Sequence, residues 1–287
     1  MSPAATIGQL TAPNLTIDAA NGVTYAYRRF GRTDGQAPPL LGLTHFRGNL
    51  DSWDPLLVDR LAEQREVILL DNRGVGGSTG VVPDNVTDMA RDAGVFVDAL
   101  GLGAIDIIGF SLGGMVAQEM ALLRPRQVRR LVLAGTHPRG GHNMHRWTDD
   151  VLAAASRPDI GAEEVLHIFF SPTEASRAKG KEFLGRIFTR QKDRDKGSTL
   201  AARDAQLLAF AEWGIPDPTR LNRLAGITQP TFVAAGDNDT MMHTKNSHLL
   251  AEHLPNAELR IYSDANHAFL FQYPELFADH VNAFLGR

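Results

Sequence analysis

Ser111 lies in Gly109-Phe110-Ser111-Leu112-Gly113, a Gly-x-Ser-x-Gly with a short apolar strand pattern before it and a helical pattern after it. A serine hydroxyl is a poor nucleophile at neutral pH and needs an adjacent base held by a third group. On a strained turn at the end of a strand the hydroxyl is raised above the sheet, and flanking glycines let neighbouring backbone come close. The helix that follows aims its first amides at developing negative charge. An isolated Gly-x-Ser-x-Gly is an ordinary turn; the strand before it and the helix after it are the context the chemistry needs. Among ten histidines, His267 is singled out because it follows the last strand pattern, in Asp264-Ala265-Asn266-His267, and precedes the final helix. A supporting acid should lie between serine and histidine in chain order. Thr136-His137-Pro138 offers no carboxylate, whereas Gly236-Asp237-Asn238-Asp239 offers two, and spacing does not choose between Asp237 and Asp239. An oxyanion needs two backbone N–H donors. Leu112 supplies one, and Phe46, with Arg47 as the neighbouring alternative, supplies the other from the loop Thr44-His45-Phe46-Arg47-Gly48. His45 is expected to bond loop backbone rather than act as a second base.

These residues can converge only at one edge of one sheet. Residues 15–30 alternate apolar and polar around Asn21-Gly22, a hairpin signal. Short apolar runs follow at 39–44, 67–70, 105–109, 130–134, 231–235 and 259–261. Helical spacing occupies 54–63, 87–100, 112–123 and 274–285, with Pro55 in the first turn of one helix and Arg124-Pro125 stopping another. Such alternation implies a mostly parallel sheet covered on both faces, with the hairpin as an antiparallel edge. The loops after parallel strands open at one edge, which puts Ser111, the aspartate pair and His267 together. Between 138 and 222 the strand signal gives way to helical, aromatic-containing segments. The chain therefore reads as a core of residues 1–137 and 223–287 with a helical insertion at 138–222, hinged near Gly140-Gly141 and Pro216-Asp217-Pro218.

With 287 residues the chain is long enough for one large domain with an insertion. A net charge of -4 gives no reason to expect nucleic acid or an anionic membrane as a partner. The absence of cysteine removes disulfides, a thiol nucleophile and thiolate metal sites. Residues 1–14 lack a basic start followed by an apolar run, so no secretory leader is expected there. A cytoplasmic location, a small-molecule substrate and no cofactor or metal are the expectations; the oligomeric state stays open.

Together these residues resemble the α/β-hydrolase superfamily, in the branch with a helical cap and a Ser-His-Asp triad. Members carry a His-Gly turn and a later tryptophan, then Asp-x-Arg-Gly-x-Gly-x-Ser, Gly-x-Ser-x-Gly, Gly-x-x-Asp and a late Gly-His. This chain answers with His45, Trp53, residues 71–78, residues 109–113, residues 236–239 and Asn266-His267. The resemblance implies an eight-stranded, mostly parallel sheet with helices on both faces and a cap at 138–222. It favours Asp239 as the third member of the triad and leaves Asp237 as a polar loop residue. It also implies acyl transfer to water, because the aspartate nucleophile of haloalkane dehalogenases and epoxide hydrolases is replaced by Ser111. Three departures stand out. Phe46 replaces the glycine after His45, and the segment to Trp53 is one residue shorter, which bears on the second oxyanion donor. Asn266 replaces the glycine before His267, a change consistent with left-handed backbone there. His243 stands where proline is common, with no physical account from sequence.

His137, His142 and His145 cluster without carboxylate or cysteine spacing, so loop histidines are expected rather than a metal site. Residues 177–196 are rich in Lys and Arg, with Phe183, Leu184, Ile187 and Phe188 at helical spacing; a solvated basic face over an apolar inner face is expected. Trp147, Phe169, Phe170, Phe210 and Trp213 serve as cap core, pocket lining or both. Arg73 is expected to tie loops together. The reading that follows is hydrolysis of a carboxylic ester or lactone of a small to medium apolar substrate through an acyl-enzyme. Perhydrolase, C–C hydrolase or cofactor-free oxygenase chemistry of the same fold is the alternative, and a slow-turnover ligand receptor is the second.

Overall fold

The structure is a computed structural model that describes residues 8–287. Residues 1–7, the start of the segment read above for a secretory leader, lie outside the described residues. The first strand, β1 (Leu15–Asp18), turns through Asn21-Gly22 into β2 (Thr24–Gly31), with Asp18 opposite Thr24 in the antiparallel register. Then come β3 (Leu40–Leu43), α1 (Pro55–Ala62), β4 (Glu66–Leu70), α2 (Val86–Ala99), β5 (Ile105–Phe110), α3 (Leu112–Leu123) and β6 (Val128–Ala134). Four helices follow with no strand between them: α4 (Asp149–Ala155), α5 (Ala162–Phe169), α6 (Glu174–Ile187) and α7 (Leu200–Trp213). The chain returns to the sheet with β7 (Thr231–Gly236), α8 (Lys245–His253) and β8 (Ala257–Tyr262), and ends with α9 (Phe269–Gln272) and α10 (Pro274–Leu285).

The eight strands form one sheet in the order β1-β2-β4-β3-β5-β6-β7-β8. β1 and β2 pair antiparallel, as do β2 and β4, and every other pair is parallel. Every residue of β3, β4, β5 and β7 is buried, a pattern possible only where helices cover both faces. α1 packs with α10, and α2 packs with α3. Asp54, expected at the start of a helix, caps α1 by accepting the Leu56 N–H at 3.0 Å. Among the described residues no helix is long and apolar enough to cross a membrane.

One helix escapes the sequence pattern. α8 buries Asn246, Ser247 and Leu250, so its inner face is mostly polar and carries no apolar stripe. Asn246 is buried because its side chain bonds the Met242 and His142 carbonyls and the His142 N–H.

Candidate active site

β5 delivers Ser111 at its carboxyl end, where the chain turns directly into α3. Ser111 is held at φ 57° and ψ -118°, a conformation that costs a side-chain-bearing residue roughly 1–3 kcal/mol. Surrounding bonds impose it. The Ser111 N–H donates to the Ala134 carbonyl at 2.9 Å, and the Ser111 carbonyl accepts the Thr136 hydroxyl at 2.8 Å and the Gly114 N–H at 2.9 Å. The flanking glycines are needed for close approach: a Cβ on Gly113 would overlap the Leu43 carbonyl, and one on Gly109 would overlap the Gly113 carbonyl.

The loop after β7 carries Asp239, and the loop after β8 carries His267. His267 Nδ1 lies 2.9 Å from Asp239 Oδ2, and since a carboxylate only accepts, Nδ1 bears the proton and Nε2 is left as the acceptor. Asp239 Oδ1 accepts the N–H groups of Met241 and Met242 at 2.9 and 2.8 Å. Burial pushes this carboxyl's pKa up, but His267 and the two amides outweigh it and hold the group below its ordinary value. Asp237 does something else. It accepts the Asp264 and Ala265 N–H groups at 3.1 and 3.0 Å, lacing the His267 loop to the Asp239 loop.

Ser111 and His267 line the same cavity, of about 370 Å³, yet the hydroxyl and the imidazole are not hydrogen-bonded to each other. Ser111 Oγ and His267 Nε2 are both buried without a protein partner. The imidazole is fixed by Asp239 and by the Phe110 and Phe169 rings, whose centroids lie 4.9 and 5.6 Å away. The serine hydroxyl is the part free to turn, and such bonds commonly tighten only with substrate in place.

His45 bonds loop backbone as expected, through Nδ1 and the Phe46 carbonyl at 2.8 Å. Burial draws its pKa down to about 4, against that carbonyl bond and with His267 acting in the same direction as burial. Phe46 and Arg47 part company. The Arg47 N–H donates to Gln206 Oε1 at 2.7 Å, whereas the Phe46 N–H, like that of Leu112 at the start of α3, meets no protein acceptor among the described residues. The left-handed residue of this loop is Arg47, at φ 61°, so Phe46 does not need to be glycine.

The other departures also resolve. The left-handed backbone considered for Asn266 is not there, and its side chain explains the residue instead. Asn266 Oδ1 accepts the Thr240 N–H at 2.9 Å and the His267 N–H at 2.8 Å, joining the loops that carry Asp239 and His267, a role glycine cannot play. His243 sits at φ 41°, far from the value near -65° that proline's ring imposes, so proline is excluded here.

His137 is buried with Nδ1 near the Pro138 carbonyl at 3.0 Å, and burial pulls its pKa down to about 3. His142 and His145 are exposed, and no group of three or more His, Asp or Glu among the described residues is placed to hold a metal. Arg73 reaches Asp92 on α2 at 3.7 Å, a loop-to-helix tie. Of Trp147, Phe169, Phe170, Phe210 and Trp213, Phe169 alone lines the cavity, where Phe183 of α6 joins it. Trp147 packs on Phe210 with centroids 4.5 Å apart, Phe170 packs on Phe183, and Trp213 Nε1 donates to the His137 carbonyl at 3.3 Å. The solvated basic face needs correction. Arg186 pairs with the buried Asp54 and Arg190 bonds the Gln9 carbonyl, so both turn into the core side. Phe188 does not join the apolar inner face, because α6 ends at Ile187 and leaves it 57% exposed, with the Arg194 guanidinium over its ring. Sequence reading missed the roles of Met241, Met242, Asn266 and Gln206. Asn266 and Gln206 act through bonds to residues distant in sequence, and Met241 and Met242 act through backbone amides that their side-chain types do not encode.

Residues 38–274 match the alpha/beta hydrolase fold family. A protein of Agrobacterium fabrum carrying the name carbamate hydrolase RutD is 28% identical over 257 residues, covering 89% of this chain and 95% of its own. A poly(3-hydroxyalkanoate) depolymerase of Ectopseudomonas oleovorans is 31% identical, covering 86% and 84%. Among solved structures, an alpha/beta hydrolase fold protein from Chitinophaga pinensis superposes with a TM-score of 0.91 at 42% identity, over 97% of this chain and 99% of that one. With the family matched over most of its length and the sheet order described above, the chain belongs to the alpha/beta hydrolase fold family and is a hydrolase of that fold.

Proposed function

We propose that this chain is a serine hydrolase that cleaves a carboxylic ester or lactone of a small to medium apolar substrate through an acyl-enzyme. Ser111 Oγ attacks the carbonyl carbon while His267 Nε2 takes the hydroxyl proton and then gives it to the departing alkoxide. The N–H groups of Leu112 and Phe46 receive the oxyanion. Water then attacks the acyl carbon, with His267 again the base, and Ser111 is released. Asp239 keeps the proton on Nδ1 and stabilises the imidazolium that forms. The helices of residues 138–222 act as a cap that gives the cavity its apolar side.

One observation carries the reading. The imidazole anchored to Asp239 at 2.9 Å and the Ser111 hydroxyl each present an unpartnered buried atom, and both residues border one largely apolar cavity. The relatives' names, a carbamate and a polyester hydrolase, fall within acyl transfer to water. Ser111→Ala should lower turnover of p-nitrophenyl hexanoate by about 10³-fold or more while the far-UV circular dichroism stays unchanged. Turnover retained in a folded variant refutes the assignment.

A further inference from the structure

Most polar groups bordering the catalytic cavity are already committed to the protein. The Arg47 guanidinium donates to the carbonyls of Ala155, Arg157 and Pro158 at 3.3, 2.6 and 2.9 Å. Ser52 Oγ accepts the Asn49 N–H at 3.0 Å and donates to Asn49 Oδ1 at 3.2 Å. His45 bonds its neighbour's carbonyl, and Asp159 is exposed at the mouth. Beyond Ser111 Oγ and His267 Nε2, one lining residue among those described keeps a buried side-chain polar atom with no partner, and it is Ser198.

Ser198 belongs to the segment between α6 and α7, and that segment is fastened on both sides of it. The Asp195 N–H donates to Asp51 Oδ2 at 2.7 Å, and Asn49 Nδ2 donates to the Lys196 carbonyl at 2.9 Å. On the other side Thr199 caps α7 by accepting the Ala202 N–H at 3.1 Å. The backbone on both sides of Ser198 is thus held in place, which keeps the residue at the cavity wall. A buried hydroxyl without a partner is unfavourable, and a site that leaves one open discriminates in favour of a ligand that satisfies it.

We propose that Ser198 is a specificity-determining residue whose hydroxyl bonds a polar oxygen carried on the apolar part of the substrate, away from the scissile carbonyl. The substrate class narrows accordingly, from a plain alkyl ester to an ester or lactone whose hydrocarbon part bears a ketone, hydroxyl or ether oxygen. This rests on the reading of Ser111 as nucleophile.

The probes are p-nitrophenyl hexanoate and matched esters with a ketone oxygen at successive chain carbons. The intact enzyme should prefer one oxygenated ester by kcat/KM, and Ser198→Ala should reduce that preference about 5- to 10-fold, the effect of one neutral hydrogen bond. Ser198→Thr keeps a hydroxyl and should keep most of the preference. The proposal is overturned by an intact enzyme indifferent to the ketone, by a preference unchanged in Ser198→Ala, or by equal losses on plain and oxygenated esters. Failure of the Ser111→Ala experiment overturns the underlying reading instead, and the two are separable because the preference is a ratio measured on one enzyme.

Discussion

Asp239 and Asp237 show how two carboxylates two residues apart take different work from the amides around them. Asp239 is buried against His267 with Met241 and Met242 amides on its other oxygen, whereas Asp237 ties the backbone of residues 264–265. Asp239→Asn should therefore lower kcat by about 10³–10⁴-fold with little change in KM, because it removes the acceptor that fixes the histidine tautomer but touches no substrate. Steady-state kinetics on an aryl ester check this, and a rise in KM alone contradicts it. Asn266→Ala leaves the Thr240 and His267 N–H groups without their acceptor and should destabilise the fold by about 2–3 kcal/mol, measured by urea unfolding. An unfolding free energy unchanged by that substitution counts against Asn266 as the tie between the loops. The placement of Ser111 and His267 at one cavity was legible because the strand–turn–helix context and the last strand mark them in one dimension. Asn266 was not, since its effect lies in bonds to an amide 26 residues earlier and to its own neighbour.

The elements of residues 138–222 are gripped by charge as well as by apolar contact. α6 meets α1 through Arg186 and Asp54, which pair bidentately, with Oδ2 2.6 Å from Nη2 and Asp54 fully buried. Asp54→Ala breaks this pair and the α1 cap, and should cost about 3 kcal/mol in unfolding free energy. A more unusual contact joins the same segment to the loop after β4. The Leu50 N–H donates both to Asp71 Oδ1 at 3.0 Å and to Asp195 Oδ2 at 3.3 Å, which sets two carboxyl groups side by side. Burial, and after it the Asp195 carboxylate, raise the Asp71 pKa well above the ordinary carboxyl value, against the pull of the Gly77 and Leu50 amides. The folded state therefore keeps a proton that the unfolded chain releases near pH ~3.9. Stability from this pair is full below that pH and falls as pH rises through the folded-state pKa. Asp195→Asn removes the like charge, so the variant's gain over the parent protein in urea unfolding should grow with rising pH; a gain independent of pH contradicts the account. The strands and the hairpin were readable because period-two and buried apolar runs survive in sequence. α8 was not, because Asn246 and Ser247 occupy its inner face, and the reach of α6 was misjudged because Phe188 continues its apolar spacing one residue past its end.

In the molecule as a whole, the loops at one sheet edge bring Ser111 and His267 to the cavity, and α5, α6 and the neighbouring segments supply its apolar walls. On the proposed function, these segments set the size of the substrate. Ile168 lines the cavity and is buried, so Ile168→Ala should move the preferred acyl chain about two carbons longer, each added methylene gaining about 4-fold in kcat/KM through its burial. A series of p-nitrophenyl esters reads this directly, and an unchanged optimum places the chain elsewhere. The most direct test of the whole account is covalent: reaction of the intact protein with an aryl phosphonate ester, followed by peptide mass mapping. The account predicts one adduct, on Ser111, formed far more slowly in His267→Ala; labelling at another residue, or none while ester turnover persists, contradicts it.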